Sequence, residues 1–367
     1  MQNPTQTMTS LSHDQNIYIR VHRSLLQPIP TTTTNSSNPQ TAGPPSAHLY
    51  LIKGTLQDIG RYAGATVDWV IKVAHLICAP SGAGQVYTHS TGTSQDWYHR
   101  DKGTNWRQLV LGDPLLPGIY EFETNSLIVL SRLSDRQSHS KTSMGSESSS
   151  ATFQRDIETR DGMACVVSGA SSSLIASHLI PKRIGTDGAK AIVTDFVGAQ
   201  ATLGVHRFHP MIGIFLLKTL DDRVDRYTLG FYHVTGDTYT LHNFQEDQDV
   251  TVAGFESFIL ASPIHGGNQP LPPKGVFDWH YLQCVAKRFA TMDYKAVPGI
   301  YFYAYPFRMD DDDESDDEFE FEDNNEIEPP YPTYRFDRFL MEQGRKLRMH
   351  ERDQEIARWS ASVQVEP

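Results

Sequence analysis

The sequence predicts an α+β protein, and three observations carry that prediction. The 26 Gly and 21 Pro scattered through 367 residues interrupt any long helical period, which excludes a coiled coil or a simple helical bundle. Short runs alternate apolar and polar residues with a period of two, the signature of strands: IYIRV at 17–21, HLYLIKG from His48, and PGIYEFE from Pro117. Two other stretches keep helical spacing. Val67, Val70, Ile71 and Ala74 recur within Thr66–Cys78, and Val276, Tyr281, Cys284, Val285 and Phe289 recur within 276–292.

Taken in order, the elements divide into segments of different composition. Residues 1–46, which end in PIPTTTTNSSNPQTAGPPS, hold too little apolar surface to offset chain entropy and are expected to be mostly disordered, apart from IYIRV as an added edge strand. Residues 47–133 read as a β-rich domain of unknown role, ending in PGIYEFE, a turn at Thr124 and Asn125, and a further strand, SLIVLSRL. The small polar residues of 134–152 describe a Ser-rich linker. A second domain is expected over 153–308. Within it, the aromatic strands around Phe231 and Tyr239 turn at Thr235–Asp237, and the 276–292 helix closes the domain. An acidic low-complexity run over 309–330 and a charged helical tail over 331–367 follow.

Charge and cysteine content narrow the function classes. The formal net charge is −12, but residues 310–328 hold 13 of the 44 acids and no base, so the rest of the chain is close to neutral. Cys78, Cys165 and Cys284 lie far apart with no CxxC pair, which excludes a zinc ribbon or a disulfide framework and fits a reducing compartment. With no basic cluster preceding an apolar stretch near Met1 and no window of about 18 apolar residues, the expectation is an intracellular protein of cytoplasm or nucleus, neither secreted nor membrane-bound.

The most specific chemistry lies between Arg160 and Phe231. A turn at Ser168-Gly169, the apolar run LIASHLI and a stop at Pro181 describe a two-stranded ribbon that presents His178 near a strand end. A helix starting near Gly213 would place Asp221 and Asp225, four apart, on one face, with Leu216, Leu217, Leu220 and Val224 along the apolar stripe. A histidine base opposite two hard carboxylate ligands is a parts list for metal-assisted hydrolysis of a phosphodiester.

Three blocks in this order, Cys165-Val-Val-Ser168-Gly169, Ser177-His178-Leu-Ile-Pro181, and Ile212-Gly213 through Leu220-Asp221 to Val224-Asp225, resemble the HNH nuclease family, in the branch reading CxxTG, AHIxP, NGxxL, LHxxFD. The resemblance implies a ββα-metal domain and an endonuclease that hydrolyses nucleic-acid phosphodiester bonds, DNA ahead of RNA. It places His178 as the general base that deprotonates water. Asp221, at the position of a metal-ligating His, Asp225, and nearby His209 become the candidate donors to Mg²⁺ or Mn²⁺, with Zn²⁺ as a further option. Lys182, Arg183 and Lys218 become candidate phosphate contacts. Cys165, Gly169, Pro181 and Gly213 would shape the ribbon. Two positions depart from the pattern: Ile212 stands where the family has Asn, and Ser177 precedes the His. Ile212 is the basis of the alternative, a catalytically inactive HNH-like module that binds nucleic acid or protein.

Overall fold

Ile17, Ile19 and Val21 are fully buried, and the alternation that buries them makes Asn16–His22 a strand, β1. The computed structural model describes residues 15–27, 47–79, 84–89, 106–134, 147–245, 258–260 and 269–302, all within one unit, Met1–Phe307. The centre of the Pro/Thr/Ser segment, the acidic run and the charged tail lie outside the described residues.

β1 is not an edge. It lies between β2 (His48–Thr55) and β5 (Gly118–Glu123) in a five-stranded sheet of order β2-β1-β5-β3-β4, with β3 at Gln85–His89 and β4 at Trp106–Gln108. β1 runs antiparallel to β2 and parallel to β5, which sets Arg20 beside Glu121. There the Arg20 Nε donates to Glu121 Oε2 at 2.8 Å, so the one cation buried in this strand has its counter-charge on the neighbouring one. The opposite face, with Ile17, Ile19, Val21, Leu49 and Leu51, packs on helices α1 (Leu56–Ala63) and α2 (Asp68–Cys78) through Ile59, Trp69, Val70 and Val73. α1 starts on Thr55, whose Oγ1 accepts the Asp58 N–H at 3.0 Å.

The expected strand SLIVLSRL contracts to Leu133–Ser134 (β6). Its alternation is real, since Ile128 and Leu130 are buried while Leu127 and Val129 are exposed, but 126–132 join no ladder beyond an Ile128–Leu26 bridge. The expected linker is also shorter than its composition suggests. Helix α3 (Glu147–Arg160) begins inside it, anchored by buried Phe153 and Ile157.

A second apolar cluster is built from β7 (Leu174–His178), α4 (Gly185–Phe196), β8 (Gly213–Leu217), α5 (Lys218–Asp225), and the hairpin of β9 (Leu229–Thr235) and β10 (Thr238–Asn243). β10 also pairs with β11 (Phe258–Ile259). Beyond it come α6 (Lys274–Phe289), α7 (Met292–Lys295) and β12 (Tyr301–Phe302), the last pairing with β6.

Two separate domains were the expectation from sequence; the structure instead passes one helix through both clusters. Val276, Phe277 and Trp279 of α6 belong to the second, while Tyr281, Leu282, Cys284, Val285 and Phe289 belong to the first. The helix is buried on nearly every side. Two of its polar side chains find partners on neighbouring elements: Gln283 accepts the Ser134 N–H at 2.8 Å, and the His280 ring meets the Val224 carbonyl at 3.2 Å. At the joint, Trp69 Nε1 donates to the Tyr281 hydroxyl at 2.7 Å, and that hydroxyl lies 2.7 Å from His242 Nδ1. Because the indole only donates, we assign the tyrosine proton to Nδ1 and the imidazole proton to Nε2. Burial, with Lys72 adding to it, pushes the His242 pKa down to about 4 and keeps the ring neutral as this chain requires.

Candidate functional site

β7 and β8 pair antiparallel, with His178 opposite Gly213, Ala176 opposite Phe215 and Leu174 opposite Leu217. The GIFLL run from Gly213 is therefore a strand, and the helix expected near Gly213 starts five residues later, at Lys218. A continuous apolar run of five fits a buried strand as well as a helical turn; pairing with β7 decides it. The elements follow in the order strand, strand, helix, with α4 inserted between the strands.

The two faces of the ribbon bury different things. Ile214 and Leu216 join Leu220 and Val224 of α5 in one cluster, whereas Phe215 joins Phe153 and Ile157 of α3 in another. His178 is on the α3 side. Its ring stacks on Phe153 with centroids 4.0 Å apart and meets Phe208 edge-on at 6.1 Å. The His178 Nε2 is shut off from solvent and finds no hydrogen-bond partner among the described residues. Burial, reinforced by Lys182 and opposed by the Arg207 carbonyl, drives its pKa down to about 3. The residue as a whole stays partly exposed, but a ring with that pKa is neutral at ordinary pH and a weak base, and its Nε2 does not reach solvent.

Gly213 is what lets the ring and α3 close on the ribbon. A Cβ there would sit 2.5 Å from Phe153, 2.6 Å from Ile157 and 2.8 Å from the Ser177 carbonyl. Upstream, buried Cys165 accepts the Gly169 N–H on its carbonyl at 2.8 Å and the Ser168 N–H on Sγ at 3.4 Å, and Gly169 takes φ +71°, so this turn holds by backbone geometry. Pro181 is buried three residues beyond the strand, where the Lys182–Ile184 turn begins.

The strand β8 is fixed by a buried pair that the sequence reading passed over. Arg160 Nε and Nη2 donate to the two carboxylate oxygens of Asp161 at 2.6 and 2.9 Å, and the remaining donors reach the carbonyls of Pro210 (2.7 Å), Pro270 (2.9 Å) and Gly213 (2.8 Å). Asp161 in turn accepts the Phe215 N–H at 2.8 Å. Every donor of the guanidinium is used, as a buried cation requires. The signal available in the sequence was an adjacent Arg-Asp immediately before an apolar run.

The candidate metal donors are not gathered. On α5, Asp221 is partly buried and Asp225 is exposed. His209 caps the Pro210–Ile212 turn, its Nδ1 accepting the Met211 N–H at 3.2 Å, with the ring edge-on to His206. Burial and the neighbouring His206 lower its pKa. Ile212 is fully buried in the second cluster. Among the described residues no group of three or more His, Cys, Asp or Glu side chains comes together that could hold a metal ion.

The candidate phosphate contacts are also spread. Lys182 lies in a 3-10 turn near His178, Arg183 donates to Ser134 Oγ at 2.8 Å, and Lys218 is exposed at the start of α5. No helix among the described residues is long and apolar enough to cross a membrane. Compared with protein-family models, with curated proteins and with solved structures, the chain matches none.

Proposed function

We propose that the strand–strand–helix unit is a nuclease-like scaffold that binds without cleaving, with nucleic acid as its ligand. The observation that carries this reading is the packing of His178: the histidine of the motif stacks on Phe153, meets Phe208 edge-on, and has its Nε2 closed off from solvent. A hydrolase of this type needs a base that reaches water and a cation beside it. Here the base position faces an aromatic pair and the Asn position of the motif holds a core isoleucine, Ile212. What the unit carries is a paired ribbon and, on its helices, exposed bases: Lys190 on α4, Lys218 at the start of α5 and Arg226 at its end. Phosphate contacts by such bases give sequence-independent affinity that weakens with salt.

The test is incubation of the whole protein and of His178→Ala with supercoiled plasmid in Mg²⁺, Mn²⁺ or EDTA, followed by a gel for nicking and a second for mobility shift. The reading expects no metal-dependent nicking above the level of the variant, and a shift that fades between about 50 and 200 mM salt. Nicking that needs metal and disappears in His178→Ala would restore the metal-dependent endonuclease, with Asp221 and Asp225 as the first donors to test.

A further inference from the structure

Between α4 and β8 the chain makes a tight turn, His206-Arg207-Phe208-His209, closed by the His209 N–H donating to the His206 carbonyl at 2.9 Å. The turn stands on fixed parts of the fold. The Arg207 N–H meets Thr186 Oγ1 of α4 at 3.5 Å, the Arg207 carbonyl faces the His178 ring, and the Pro210 carbonyl that follows takes an N–H of buried Arg160 at 2.7 Å. Closing the turn brings the rings of exposed His206 and partly buried His209 edge-on, with centroids 5.6 Å apart. Each ring is committed in the same way. The His206 Nδ1 accepts the Phe208 N–H and the His209 Nδ1 accepts the Met211 N–H, both at 3.2 Å. A neutral imidazole has one donor and one acceptor nitrogen, and a backbone N–H can only donate. Both rings are therefore set as the tautomer that carries its proton on Nε2, and neither Nε2 has a hydrogen-bond partner among the described residues. Arg207, between them in sequence, lays its guanidinium over the Phe208 ring, with Cζ 5.2 Å from the ring centre.

We propose that this turn is a binding site for a phosphate-type oxyanion, with the Nε2–H groups of His206 and His209 and the Arg207 guanidinium as its donors. The ionised oxygens of such an anion accept hydrogen bonds, so a turn that presents donors selects it. Two N–H···O bonds of about 2.9 Å each span the separation of the rings, so one tetrahedral anion reaches both. The arginine supplies the charge that neutral rings do not, and a charge-assisted bond is roughly twice as strong as a neutral one. Backbone hydrogen bonds already hold both rings, so binding orders little that was free. With Nδ1 engaged, neither ring keeps a lone pair for a cation, and the bonds that set the donors oppose a metal. Free phosphate and the phosphates of a nucleic-acid backbone share this chemistry. The second source rests on the reading that the unit binds nucleic acid; the first does not.

The experiment follows the histidine rings of the ¹⁵N-labelled full chain at pH 7.5 by long-range ¹H–¹⁵N correlation, which reports the tautomer, while inorganic phosphate is added against chloride of matched ionic strength. Both rings are expected as Nε2–H tautomers in the free protein, with shifts that saturate in phosphate and stay flat in chloride. Arg207→Gln is expected to weaken phosphate binding about tenfold or more. His206→Asn and His209→Asn each keep an oxygen to accept the Phe208 or Met211 N–H, so the turn holds, as an unchanged thermal midpoint would show. Each loses the Nε2–H donor, and phosphate binding is expected to weaken severalfold. A mobility shift with a duplex oligonucleotide separates the sources. A shift lost in Arg207→Gln assigns the site to the nucleic-acid backbone, whereas a shift kept while phosphate binding is lost assigns it to free phosphate. An Nδ1–H tautomer at either ring, a phosphate response that never saturates, or asparagine variants that bind phosphate as tightly as the parent overturns the proposal.

Discussion

Replacing Tyr281 with Phe removes one oxygen atom and tests whether the joint between the two apolar clusters is held by its hydrogen-bonded chain or by packing alone. The ring stays, so the cavity is small. What is lost is the acceptor for Trp69 Nε1 and the donor to His242 Nδ1, both at 2.7 Å in residues 1% and 7% exposed. Each buried group left without a partner costs about 1–3 kcal/mol. Two such groups give a loss of about 2–6 kcal/mol, a large share of the stability of an ordinary domain. Urea unfolding followed by tryptophan fluorescence reads it directly, as a midpoint about 1 M or more lower at an m of about 2–3 kcal/mol/M. A double-mutant cycle with Trp69→Phe separates the pair from the site, and a coupling of at least about 1 kcal/mol is expected because the two groups share one bond. A loss below about 1 kcal/mol in Tyr281→Phe, with no coupling to Trp69, would refute the reasoning.

Two further outcomes follow from the buried charges and rings. The folded pKa values of His178 and His242, about 3 and about 4, lie below the unfolded value near 6.5, so the unfolded chain takes up protons first and stability present above pH 6.5 is lost as the pH falls toward those values, at about 1.4 kcal/mol per pH unit for each ring. Urea midpoints at pH 7.5, 5.5 and 4.5 that stay level would show the rings are not enclosed. Arg160→Met leaves the Asp161 carboxylate buried without its cation and three carbonyls without their donor. The expected loss is about 3–5 kcal/mol, and a variant whose thermal midpoint matches the parent would show that the pair does not hold β8.

Local pattern made several elements readable. The alternation of IYIRV, the helical spacing after Thr66 and the apolar stripe ending at Phe289 all correspond to observed elements, because each buries one face and that face is written in consecutive residues. The position of β1 within its sheet was not readable, since its neighbour β5 lies about a hundred residues away and nothing in IYIRV encodes that partner. α1 passed unseen because Gly60 dilutes a helix of eight residues, although Thr55 and Asp58 carry the spacing of an N-terminal cap. α3 was hidden by its polar ESSSAT start, which reads as linker. At the candidate site, the sequence supplied His178 and its place at a strand end. It did not supply Phe153, whose stacking on the ring depends on a helix 25 residues upstream lying over the ribbon. The chemistry of a residue type is local, and its access to solvent is not.

The passage of α6 through both clusters bears on how this protein comes into being. The sheet of β1 to β5 and the helices α1 and α2 are complete by Glu123, yet Trp69 waits for Tyr281, 212 residues later, to cover it and to accept its proton. A chain emerging from the ribosome therefore holds an open apolar surface, including Val70, Val73 and Ala74, through most of its synthesis. Closure comes late and over a long sequence separation, which makes it slow. Nascent chains halted before residue 274 should be held by chaperones or cut by proteases, and those that have passed Phe289 should resist both.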